Sequence, residues 1–136
     1  MRWLVVAVMF VEPAAISCGT CNEVCFDTTA ISVAIDTSTL GGDTITECKN
    51  GHCATGVLVA GSATAELQGA FFVDASLQPT TLELGFIGPC PCNDGDVYSV
   101  NITTPVGVPV LARSGNATYE HQSDCGDGCS IATLSF

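Results

Sequence analysis

Apolar residues recur at every second position in short runs along this chain, and Gly, Pro, Asn and Asp separate the runs. That spacing predicts strands, because successive side chains of an extended backbone point to opposite faces. Ile31, Val33 and Ile35 share one face, Leu82, Leu84 and Phe86 another, and Tyr98, Val100 and Ile102 a third, with Ser32, Glu83, Ser99 and Asn101 among the alternates. Thr44 to Cys48, Cys53 to Val59, Pro109 to Arg113 and Ile131 to Phe136 are further strands, the last able to turn Ala132, Leu134 and Phe136 inward. Ser62 to Leu77 can be read as a short helix over Ala63 to Gln68 or as two strands around Gly69. Phe71, Phe72 and Val73 favour strands, and Gly69 disfavours the helix.

About seven to nine strands, with turns roughly every eight to twelve residues and no crossover helices, predict an all-β fold. The natural architecture is an antiparallel two-sheet immunoglobulin-like sandwich, disulfide-stapled, over residues 28–136. At 136 residues the chain is one domain's worth, long enough to bury a core of its own.

The amino terminus breaks the alternation. Met1-Arg2 is followed by a continuous apolar run from Trp3 to Val11, which Glu12-Pro13 stops. Such a run rises only about 14 Å as a helix, roughly half of a bilayer core, so it predicts a signal peptide over residues 1–17 and not a membrane span. Ala14-Ala15-Ile16-Ser17-Cys18 then resembles a bacterial lipobox, in which Cys18 becomes the acylated first residue. The alternative is ordinary signal-peptidase cleavage after Ala15 or Ser17. Residues 18–27 form a Cys-containing leader between this region and the domain.

Nine cysteines are too many for a reduced cytosolic domain unless they hold metal, so the expected compartment is oxidising. Acylation of Cys18 leaves eight, an even number. Cys48 and Cys53 flank Asn50-Gly51, which is hairpin chemistry, and are expected to pair. Cys125 and Cys129 enclose Gly-Asp-Gly and form a second local pair. A bridge within Cys90-Pro91-Cys92 would be strained, so Cys21 and Cys25 are expected to reach Cys90 and Cys92, with the pairing open. Zinc is the rival, on Cys48, His52 and Cys53 or on His121, Cys125 and Cys129.

Charge narrows the partners. With a formal net charge of −11 and only Arg2, Lys49 and Arg113 as bases, the chain has no basic patch for nucleic acid. Membrane attachment is expected only through an N-terminal lipid. His52, on a hairpin tip, and His121, in a polar loop, are the only histidines, and no serine-hydrolase, phosphate-loop or metalloprotease motif occurs. Catalysis is not expected, and no cofactor is required. Asn93, Asp94 and Asp96 crowd oxygen donors into one loop that could contribute to a calcium site.

The tail from Asn116 through Tyr119, Cys125-Gly-Asp-Gly-Cys129 and the final alternating strand to Phe136, with the Cys18 start, resembles small immunoglobulin-like β-sandwich lipoproteins of myxobacterial type. The resemblance implies an envelope-attached sandwich with no assigned activity and carries over no functional residues. The expectation is therefore an exported outer-membrane or cell-surface lipoprotein with a structural or interaction role and an unknown protein or glycan partner. The alternative is a freely secreted cysteine-rich binding protein or inhibitor, and a small metal-dependent enzyme stands third.

Overall fold

The computed structural model describes residues 28–87, 92–121 and 130–136. In these the chain forms β1 (Thr28–Ala34), β2 (Thr44–Lys49), β3 (His52–Val57), β4 (Thr64–Gly69), β5 (Val73–Gln78), β6 (Thr81–Ile87), β7 (Val97–Thr103), β8 (Pro109–Asn116), β9 (Glu120–His121) and β10 (Ser130–Ser135). The only helical element among the described residues is a 3-10 turn, Thr37–Thr39, and no helix there is long and apolar enough to cross a membrane. The ambiguous stretch from Ser62 to Leu77 is two strands, β4 and β5. Gly69 ends β4 because a Cβ there would lie 2.4 Å from the Cys53 carbonyl oxygen, a backbone approach only glycine permits.

Local chemistry sets the tightest hairpin. Between β2 and β3, Asn50 and Gly51 take φ of 50° and 84°, the mirror-image turn whose twist suits a two-residue connection. The register this imposes sets Cys48 opposite Cys53 with their Cα atoms 4.0 Å apart, and the two form a disulfide as the spacing predicts.

The sheet arrangement departs from the antiparallel sandwich expected above. All ten strands are linked in one sheet, in the order β8-β7-β2-β3-β4-β5-β6-β1-β10-β9. β4 is the junction: its end pairs with β3 through Gln68 and Gly69, while Thr64 to Leu67 pair with β5. β1 pairs antiparallel with β6 but parallel with β10. Alternation has the same period in both pairings, so no local pattern distinguishes them.

The sheet curls until it is nearly closed. The Thr29 hydroxyl on β1 lies 3.0 Å from the Tyr98 hydroxyl on β7, though five strands stand between them in the hydrogen-bonded order. Near the seam, a Cβ on Gly115 of β8 would come within 2.8 Å of the Phe136 ring, beyond β10. The enclosed core takes Ile31 and Val33 from β1, Ile45 from β2, Leu67 from β4, Leu82 and Leu84 from β6, and Tyr98, Val100 and Ile102 from β7, all fully buried. Burying an aliphatic side chain of this size contributes about 1.5–3 kcal/mol.

Candidate functional site

Two features bear on function, one inside the curled sheet and one on its outer face. The inner one begins on β2, where the residues that alternate inward are Ile45, Glu47 and Lys49. Both ionisable side chains are therefore carried into the core by strand geometry alone. Lys49 Nζ lies 3.4 Å from Asp96 Oδ2, and both groups are buried. The same carboxylate accepts from Asn50 Nδ2 at 3.0 Å, the Asn93 N–H at 3.1 Å and the Tyr119 hydroxyl at 2.9 Å. Tyr119 lies 2.7 Å from the Tyr98 hydroxyl, which continues the chain of hydrogen bonds to Thr29.

Electrostatics follow from this geometry. Burial pushes the Asp96 carboxyl up, but the bonds from Asn50, Asn93 and Tyr119 together with the Lys49 charge outweigh it and hold its pKa below the ordinary carboxylate value. For Lys49 burial opposes the charge, and Tyr98, Cys92 and Asp96 overcome it, leaving its pKa raised. Burial, and then its bonds to Tyr98 and Asp96, raise Tyr119, so the phenol keeps its proton and remains a donor. Glu47 differs from all of these. It is 0% exposed, neither carboxyl oxygen has a hydrogen-bond partner among the described residues, and burial pushes its pKa up to about 8.

The predicted calcium loop is part of this cluster. Asp94 Oδ1 accepts the Tyr119 N–H at 2.8 Å, and both oxygens of Asp96 already have protein partners. Asn93 contributes a backbone N–H to Asp96. A cation bound by these carboxylates would compete with the Lys49 ammonium and four hydrogen-bond donors. Among the described residues no three His, Cys, Asp or Glu side chains are grouped as metal ligands.

Of the cysteines, Cys48 and Cys53 are joined, which removes the zinc donor set proposed for Cys48, His52 and Cys53. Cys92 is half-buried, with its sulfur 3.7 Å from Lys49 Nζ. Cys18, Cys21, Cys25, Cys90, Cys125 and Cys129 lie outside the described residues, so the Cys18 lipidation site, the bridges expected of Cys21, Cys25 and Cys90 and the Cys125–Cys129 pair lie there too. His52 is exposed at the hairpin turn, where the sequence places it.

Sequence reasoning missed the inward Glu47 and Lys49 and the link between Asp96 and the two tyrosines. A signal for the first existed: counting by twos from Ile45 reaches Glu47 and Lys49. The second joins residues 21 and 23 positions apart and has no local signature.

The outer feature is a groove of about 560 Å³ lined by Val57 and Val59, by Thr64, Ala65 and Glu66 of β4, and by Asp74, Ala75 and Ser76 of β5. It forms beyond the point where the short β3–β4 ladder stops. Glu66 stands directly opposite Asp74, and Thr64 opposite Ser76. Both carboxylates are exposed, and Val57 and Val59 are 56% and 67% exposed. Like charges directly opposite each other across a ladder are destabilising, so this pairing does not serve stability.

No protein-family model matches this chain, and no curated protein or solved structure matches it. The class these observations define is an all-β, barrel-like domain nearly closed around a core that holds both apolar and polar side chains, with a disulfide across its β2–β3 hairpin.

Proposed function

We propose that this protein is an exported cell-envelope domain that acts by binding and not by catalysis, held at an outer membrane or cell surface through a lipid on Cys18. From the immunoglobulin-like reading it keeps the division of labour, a packed β scaffold beneath a presenting surface. The observation that carries the proposal is the contrast between its polar groups. Those with chemical potential, Lys49, Asp96, Tyr98 and Tyr119, turn inward and bond to one another. The outer face instead offers exposed valines beside two exposed carboxylates.

Export is supported by the charged start and apolar run of residues 1–17 and by a hairpin geometry that joins Cys48 to Cys53. The strongly negative chain leaves nucleic acid without a counterpart and favours a protein or glycan partner. No cofactor is needed for this role.

Intact-mass measurement on protein purified from its native source tests the proposal. The expected result is loss of residues 1–17 with a diacyl or triacyl mass on the new terminus. An unmodified terminus in the culture medium would make it a freely secreted binding protein, and an uncleaved chain in the cytosol would end the export reading altogether.

A further inference from the structure

Building on the reading of this domain as an interaction module, we infer that the outer groove binds a basic peptide segment. One Lys or Arg side chain sits between Glu66 and Asp74, and neighbouring apolar side chains cover Val57 and Val59. Charge complementarity selects this occupant. Glu66 and Asp74 are paired across β4 and β5 by the ladder itself, and among the described residues neither has an ion-pair partner.

The chain holds little that could answer them. Of its three bases, Lys49 is buried against Asp96, and Arg113 lies on β8, at one end of the strand order, where it donates to the Ala112 carbonyl. Arg2 belongs to the expected signal peptide. The net charge of −11 would also draw a cationic partner in from a distance, within the reach that salt screening allows.

The apolar walls favour a peptide over a bare ion. Exposed Val57 and Val59 gain nothing from a metal, whereas an aliphatic side chain of a partner would cover them. Thr64 and Ser76, opposed on the same face, bring hydroxyls that can bond a peptide backbone. The groove's volume of about 560 Å³ suits a few side chains, not a whole folded surface.

The test uses the oxidised mature protein and a labelled peptide of alternating Lys and Val, with a Glu-Val peptide as its opposite, followed by fluorescence anisotropy. The Lys-Val peptide should bind and the Glu-Val peptide should not, and raising salt from about 20 to about 300 mM should weaken binding roughly ten-fold. A double Glu66→Gln, Asp74→Asn variant should lose roughly ten-fold in affinity while its melting temperature holds or rises, because a repulsion has been removed. That pair of opposite signs separates a binding role from a structural one.

Val57→Ser with Val59→Ser should weaken binding a few-fold at unchanged salt dependence, and Glu120→Gln on β9 should bind as the parent does. Failure of the Lys-Val peptide to bind, or binding indifferent to Glu66 and Asp74, overturns the inference. So does equally tight binding of spermine that ignores the valines, which would make this a small-cation site. None of these results alters the mass on Cys18, so the export and anchoring reading stands or falls separately.

Discussion

Glu47 is a carboxyl group with no exposed surface and no partner among the described residues, and its proton is the cheapest way to keep it there. Its pKa rises from 4.5 to about 8 on folding, so between these values the folded chain holds a proton that the unfolded chain has released. Stability from this group is complete below the lower value and is lost as pH rises through the upper one, at a slope of about 1.4 kcal/mol per pH unit. Asp96 acts in the opposite sense. Its lowered pKa contributes stability above the ordinary carboxylate range, and this is lost as pH falls.

Stability should therefore peak in mild acid. Denaturant unfolding across pH 4.5 to 8 should show Glu47→Gln flattening the alkaline decline and becoming more stable than the parent near pH 8, while the two converge near pH 4.5. Parallel curves would refute the buried-acid account. Asp96→Asn removes the carboxylate beside the buried Lys49 ammonium and should cost about 1–3 kcal/mol, read as a fall in the unfolding midpoint. Neither effect was legible from residue type alone: Glu47 and Asp96 are both acids in polar-looking stretches, and only the inward register and the folded neighbours set them apart.

At the scale of elements, alternation and turn chemistry located the strands well, because both are local. Asn50-Gly51 marked the β2–β3 hairpin and its disulfide for the same reason. The glycines at close backbone approaches were less visible. A Cβ on Gly56 would lie 2.4 Å from the Glu66 carbonyl oxygen, so the β3–β4 contact depends on its absence. Gly56→Ala should cost more than the usual helix or strand penalty, on the order of 1–3 kcal/mol, with the loss seen in thermal melts. Gly85, where an added Cβ meets nothing within 4 Å, should accept alanine with far less effect and serves as the control.

For the whole molecule, closure depends on the last strand. β10 supplies the parallel partner of β1 and buries Ala132 and Leu134 in the shared core. Deleting residues 130–136 should leave β1 with an open edge and abolish a cooperative unfolding transition, as followed by circular dichroism. Since β1 must wait for a strand about a hundred residues away, folding should also be slow for the domain's size, in milliseconds to seconds.

What the amino-acid order determined by itself was everything carried by neighbours in the chain: all-β character, strand positions, the β2–β3 turn and the Cys48–Cys53 bridge. Period-two patterning and positive-φ turn residues are properties of a few consecutive positions. Tertiary structure alone decided that ten strands share one curled sheet, that β1 and β10 run parallel, that Lys49 meets Asp96, and that Glu66 faces Asp74 beside two exposed valines. Those outcomes depend on which distant strands become neighbours, and a short-range pattern of apolar and polar residues is compatible with several such choices.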